Sequence, residues 1–400
     1  MNDKPAPSRA IRSPRRLVPA TLGIAAIVLA AAACSSSSSS GGSGGSSGSG
    51  TTTATNSGVT HAKAAVAKAE ATSTYPVPAT ALSGVSALKG KTVYYVPITQ
   101  QAPQFATTAA GLKQALSSAG VTLQVCNGNS NPSQVSACIS QATGAKAGAI
   151  ITDSIPYGLA ANALSAAQAK GIPVIITDQV ADPTHPGSKT LAYLYDPGPA
   201  QLVEVADWII ADSAGKAKVL INESTDSPST IAYVAAAQKE FKTYCSGCTV
   251  VINKISSANF SLIASSTSSA LLSNPGIGYV VPEFEQYLQP TTGGIQQSGK
   301  KASIKVVTSA AQIDSLQELK AKQLAAAAGQ SSGYQGWVDA DAALRLMLKQ
   351  PVAVPATTVP TRLFTSNNID SLALTDAAQT SGAWYGSTSY QQAFKKQWGM

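Results

Sequence analysis

The sequence predicts an α/β protein of two doubly wound lobes, each a parallel sheet flanked by helices, with a hinge and a ligand cleft between them. Two observations carry this. From Lys91 onward, short apolar runs alternate with helical stretches through about two sheets' worth of repeats. The run Ile172-Pro-Val-Ile-Ile-Thr177 is almost continuously apolar, as expected of a parallel strand covered on both faces.

Taken in order, the first strand is Thr92 to Ile98, followed by a helix from about Gln104 to Ala119. Val121 to Val125 precedes a helix near Pro132 to Ala142, and Ala147 to Thr152 precedes one from about Gly158 to Lys170. After the fourth strand, Leu191 to Tyr195 reads as an edge strand. A second cycle starts with a helix near Pro199 to Ala214. Strands at Ala217 to Ile221, Thr249 to Ile255, Ile277 to Val281 and Ser303 to Thr308 then alternate with helices near Thr230 to Tyr244, Leu262 to Leu272 and Tyr287 to Gln297. In open parallel sheets ligands bind beyond the carboxyl ends of the strands, so two facing lobes would share a cleft there.

The N-terminus is of another kind. Arg9, Arg12, Arg15 and Arg16 precede an apolar run from Leu17 to Ala33, too short for a comfortable membrane span and closed by small residues, as a secretory cleavage site requires. Cys34 follows at once and resembles the acylated cysteine of a bacterial lipobox, although Ala31 stands where leucine is usual. The pair Arg15-Arg16 invites a twin-arginine reading that Pro14 and Leu17-Val18 match poorly. From Cys34 to about residue 60 the chain is nearly all Ser, Gly and Thr and is expected to be a coil with a reach of roughly 25 to 30 Å. The expected organisation is a signal peptide at 1–33, a lipid-anchored tether at 34–60 and a lead-in at 61–90. Residues 91–195 with about 331–355 then form lobe 1, and 196–330 with about 356–400 form lobe 2.

The net charge of +8 on 400 residues is misleading. Loss of the leader removes five basic residues and one acidic, leaving 23 and 19, so nothing points to nucleic acid or a polybasic membrane patch. Apart from Cys34 there are four cysteines, in two local pairs: Cys126 with Cys138, and Cys245 with Cys248. An even count in an exported chain favours two disulfides over a metal site, the more so as the mature chain holds only His61 and His185. Cys245-Ser-Gly-Cys248 has redox spacing, but its place after a helix favours a structural clip.

Catalytic motifs are missing. The first strand is followed by Thr99-Gln-Gln-Ala-Pro103 rather than a glycine-rich phosphate loop, and there is no P-loop, G-x-S-x-G or H-E-x-x-H. The expectation is a protein that is not an enzyme and needs no cofactor or metal.

The order of elements resembles the type I periplasmic solute-binding proteins of sugar ABC importers, the ribose-binding branch. The likeness rests on Val93 to Phe105, on Gly171-Ile-Pro-Val-Ile-Ile-Thr-Asp178, on Asn274-Pro-Gly-Ile-Gly-Tyr-Val-Val281 and on Leu324-Ala-Ala-Ala-Ala-Gly-Gln330. Repressors share the fold, but an export signal stands where their DNA-binding helices would be. Carried over by position, the resemblance implies ligand contacts from Gln101, Phe105, Asp178, Gln179, Phe260, Glu283 and Gln330. Gln179 falls where the family has arginine and Ala310 where it has aspartate, so a ribose-like pattern of contacts is not expected. Tyr157, Phe284 and Tyr334 lie in nearby loops.

Between Arg16 and Arg345 there is no arginine, so the cleft is built without the planar fork that recognises carboxylates and phosphates. The expected ligand is therefore a small neutral, sugar-like solute or a cationic one. The resemblance implies a monomeric receptor that delivers its solute to a membrane permease; the alternative is a surface lipoprotein that senses the solute without transport.

Overall fold

The computed structural model describes residues 49–400 except 195 and 353–357, with side chains from residue 57 onward. The expected leader, Cys34 and the tract up to residue 48 lie outside the described residues. No helix among the described residues is long and apolar enough to cross a membrane.

Lobe 1 carries five parallel strands: β1 (Thr92–Pro97), β2 (Thr122–Val125), β3 (Ala149–Asp153), β4 (Val174–Thr177) and β5 (Leu191–Tyr193). Their order is β2-β1-β3-β4-β5. β1 and β3 are neighbours with Tyr95 opposite Ile151. The chain direction of winding therefore reverses between them, which is where such a sheet opens a crevice. Lobe 2 repeats the scheme with β6 (Lys218–Ser224), β7 (Thr249–Ile255), β8 (Tyr279–Pro282), β9 (Lys305–Thr308), β10 (Ala326–Gln330) and β11 (Thr361–Phe364). The order is β11-β10-β9-β8-β6-β7, with only β11 antiparallel to its neighbour. Here the reversal lies between β6 and β8.

The helices are α1 (Ser49–Ala69), α2 (Pro103–Ser118), α3 (Pro132–Gly144), α4 (Ala161–Ala169), α5 (Gly198–Asp212) and α6 (Pro228–Tyr244). They continue with α7 (Ile263–Ser273), α8 (Leu288–Gln297), α9 (Ile313–Lys320), α10 (Ser332–Met347), α11 (Asp376–Ser381) and α12 (Tyr390–Gln397). One face of the first sheet packs on α2 and α10, the other on α3 and α4. In lobe 2, α5 and α6 cover one face, and α7, α8 and α9 the other. Both sheets are thus covered on two sides, and inner strands such as β3 and β4, buried throughout, read as nearly solid apolar runs, whereas the edge strands β2 and β7 are partly exposed.

Two boundaries differ from the sequence reading. Residues 49–60 were expected to be coil, yet α1 starts at Ser49. Its Val59, Ala62, Val66 and Ala69 pack into the core under α5 and α6, and that burial outweighs a weak intrinsic preference for helix. Residues 356–400 were assigned to lobe 2, where β11 indeed sits, but α12 returns to lobe 1. Phe394 and Trp398 join Trp337 of α10 in the first core, with Trp337 and Trp398 stacked at 5.6 Å. Trp398 donates from Nε1 to Asp341, which also pairs with fully buried Arg345. The structure joins Cys126 to Cys138 across the β2–α3 turn and Cys245 to Cys248 at the end of α6.

Helices α2 and α10 cross almost in backbone contact. A Cβ on Gly336 would fall 2.3 Å from the Leu112 nitrogen, and one on Gly111 would fall 2.1 Å from the Gly333 oxygen. Neither obstacle is a side chain that can swing away. Gly336→Ala is therefore expected to destabilise the protein by about 1–3 kcal/mol through forced separation of the helices. A urea denaturation midpoint unchanged from the parent would contradict this.

Candidate functional site

Both sets of strand ends open into one cleft of about 260 Å³ between the lobes. Four of the turns that line it carry non-glycine residues in the left-handed region: Ser130 after β2, Ser154 after β3, Asp178 after β4 and Ala310 after β9, with φ of 53°, 55°, 53° and 56°. That conformation costs free energy away from glycine and here turns the chain sharply at the cleft wall.

The lobe 1 wall holds Phe105, at the start of α2, and Asp178 with Gln179 after β4. Asp178 is buried and its carboxyl accepts from Nε2 of Gln335 at 3.0 Å and from Nε2 of Gln330 at 3.3 Å. Gln330 in turn accepts at 2.7 Å from Gln201 of α5, whose Oε1 takes the backbone N–H of Ala310. A chain of neutral amides thus runs from one lobe through the hinge to the other. On the opposite side Ser229 of α6 donates to Gln179 at 2.8 Å, and the Tyr233 hydroxyl donates to Asp196 at 2.6 Å. The lobes touch directly across the cleft.

The lobe 2 wall is aromatic and acidic. Tyr233, Phe284 and Tyr287 stand in a row, with Phe284 6.3 Å from Tyr233 and 6.1 Å from Tyr287. Asp226, after β6, accepts from the backbone and side chains around Ser256 and Ser257 and from the Tyr287 hydroxyl. Glu285 accepts from the Gln312 N–H and the Ser315 hydroxyl at the start of α9.

Among the described residues that line it are four carboxyls, Asp178, Asp196, Asp226 and Glu285, and no Lys, Arg or His. Burial pushes Asp196 up to about 7, helped by the nearby Asp178, and burial does the same to Glu285. Asp178 is likewise raised by burial, with fully buried Asp153 and Asp339 behind it raised further by burial and by the Asp178 charge. Asp226 goes the other way: burial raises it, but the hydrogen bonds from Ser256, Ser257 and Tyr287 together hold it below the usual carboxylate range.

Of the seven residues expected at the ligand, the structure brings Phe105, Asp178, Gln179 and Gln330 to the cleft and leaves three outside. Gln101 is exposed and does not line the cleft, its N–H taken by the Thr99 hydroxyl. Phe260 lies on a short 3-10 turn, 43% exposed and 6.3 Å from the back of Tyr287. Glu283 is buried under the floor, where its Oε2 takes the Ser224 N–H at 2.6 Å and ties β8 to β6. The residue next to it, Phe284, is the one that faces the cleft. Tyr157 and Tyr334 are core residues rather than lining. Sequence reasoning missed Tyr233 and Tyr287, which look like ordinary helix residues, and Asp196, Asp226 and Gln312, whose only signal was a place just beyond a strand.

Residues 93–351 match the family profile described as periplasmic binding protein domain, well over half of the chain. The chain belongs to the type I periplasmic binding proteins. Among solved structures, this binding protein is similar to a sugar ABC transporter protein from Yersinia enterocolitica, with TM-score 0.65, 15% identity, and 81% of this chain and 100% of that chain covered. It is also similar to a 5-methylthioribose transporter solute binding protein from Thermotoga lettingae (TM-score 0.64, 17% identity, 77% and 99% covered). A carbohydrate transporter from Acidothermus cellulolyticus, solved with myo-inositol, gives TM-score 0.61 at 17% identity, with 72% and 99% covered. At such identities the likeness bears on the fold. No curated protein matches the chain.

The raised carboxyls of this binding protein have a consequence for its stability. Asp196 and Glu285 release their protons near pH 4 when the chain is unfolded and near 7 when folded, so between those values the folded state holds more protons. The stability of the unliganded protein is thus highest at the acid end of that window and falls as pH rises through about 7. Calorimetry is expected to give a higher melting temperature at pH 5 than at pH 8, with a flatter profile for Asp196→Asn. Stability that rises from pH 5 to pH 8 would contradict it.

Proposed function

We propose that this chain is the extracytoplasmic solute-binding component of an ABC importer, which closes its two lobes on a small solute and presents it to a membrane permease. The fold and the family support that reading, and the cleft narrows the solute. An aromatic row beside carboxyls and amides offers stacking for an apolar face and acceptors for hydroxyl or ammonium groups. The observation that carries the choice is the lack of any cationic lining residue beside four carboxyls. An anionic solute would find no cation and no fork to dock on, and would face the ionised Asp226. The solute is accordingly neutral and polyhydroxylated, or positively charged. Phe105, Asp178, Gln179 and Gln330, named from the sequence, and Tyr233, Phe284 and Asp226, found in the structure, are the proposed contacts.

Cys34 carries the proposed lipid, with the Ser/Gly tract as the spacer between membrane and receptor. The arginine-flanked apolar run ahead of it supports export.

Titration calorimetry with glucosamine, glucose and glucuronate, and with matched sets built on other sugars, tests the charge rule on a constant ring. The amine or neutral member of a set is expected to bind at least about tenfold tighter than its acid, a difference of roughly 1.4 kcal/mol. Tight binding confined to uronates or sugar phosphates would sink the assignment. For the anchor, Cys34→Ala is expected to abolish palmitate labelling and move the protein from the membrane fraction to the medium.

A further inference from the structure

Away from the cleft, three helices bring polar side chains to one point on lobe 2. His61 of α1, Asp207 of α5 and Glu240 of α6 each place a donor atom within 4.8 Å of the other two. Asp207 is 4% exposed, and its Oδ1 is enclosed without a hydrogen-bond partner. The Glu240 carboxyl faces it, and its Oε1 lies 3.2 Å from Nε2 of His61. Two facing carboxyls with no donor between them repel unless a proton or a cation is shared. The third corner of this site is an imidazole nitrogen, a metal ligand when neutral.

The His61 ring is also held in place. It stacks on Tyr244 at 3.6 Å with only 6° between the planes. One turn earlier, a Cβ on Gly58 would fall 1.9 Å from the Tyr244 carbonyl oxygen, so α1 sits against the end of α6 at backbone distance. Asp207 is fixed by burial, while the side chains of His61 and Glu240 are 41% and 16% exposed and have room to close the last distance.

We propose that His61, Asp207 and Glu240 form a binding site for a divalent first-row transition cation, with Zn²⁺ the best match, that clasps α1 to the second lobe. One imidazole and two carboxylates with a remaining place for water suit zinc. Calcium and magnesium prefer shells made wholly of oxygen and with six or more ligands, which three side chains including an imidazole do not supply. The cation would give the orphaned oxygen of Asp207 its partner and replace the proton that burial and Glu240 otherwise favour on it.

The test is titration of tag-free, full-length protein with Zn²⁺ after chelator treatment, read by calorimetry and by hydrogen exchange of α1. One saturable site is expected, with slower exchange across α1 on binding. His61→Ala and Asp207→Asn should each weaken binding at least about tenfold, and His185→Ala should leave it unchanged. His61 lies largely at the surface, so its variant is expected to fold. No saturable binding, binding that survives His61→Ala, or equal loss with His185→Ala would overturn the proposal and leave Asp207 and Glu240 as a pair that shares a proton.

Discussion

The side-chain amide of Gln330 joins the two lobes, and the shape of the cleft depends on it. It lies where β10 leaves lobe 2 for α10, bonded to Asp178 on one side and to Gln201 on the other. Asp178 is buried beside two further carboxyls with no cation nearby, an arrangement that would be costly without donors. Amides from Gln330 and Gln335 supply them. An amide can give and accept at once, so the network passes polarity from lobe to lobe without placing a charge at the hinge. Loss of either glutamine would take one of the two amide donors from a buried carboxyl, and loss of Gln330 would also cut the link to Gln201.

The two arginines in the described residues have other work. Arg345 pairs with Asp341 inside lobe 1 and donates to the carbonyl of Thr80, while Arg362 donates to the carbonyls of Glu70 and Trp384. Both pin the lead-in segment, which leaves α1 on lobe 2, passes Tyr75 against Ser331 at the hinge, and reaches the core of lobe 1 at Val85 and Leu88. The forks that could have recognised an anion are thus engaged elsewhere, Arg345 by Asp341 and the Thr80 carbonyl and Arg362 by the carbonyls of Glu70 and Trp384. Their absence from the cleft is a matter of placement as well as of composition.

The alternation of strands and helices was legible because the inner strands are covered on both faces and most helices, unlike α10, which is buried along almost its whole length, have one covered face, so periodicity reports position there. It failed at β10, where Ala326-Ala-Ala-Gly-Gln330 has helix-forming composition but sits mid-sheet, small enough for α5 and Tyr385 to approach it closely. In the cleft, Asp178 was legible because a strand fixed which way the next residue points. Phe284 and Glu283 were exchanged because the turn after β8 decides which of two neighbours faces out, and hydrophobicity favours the wrong one for burial. Tyr233 reached the site through the packing of α6 against α5, which no local pattern encodes.

The return of α12 to lobe 1 sets a timetable. That lobe is assembled from three separated stretches of chain, and its core lacks Phe394 and Trp398 until α12 has been made. Lobe 2, by contrast, has its sheet complete once β11 is available. The first lobe encoded is therefore the last to finish, and it must wait with Trp337 and its neighbours uncovered.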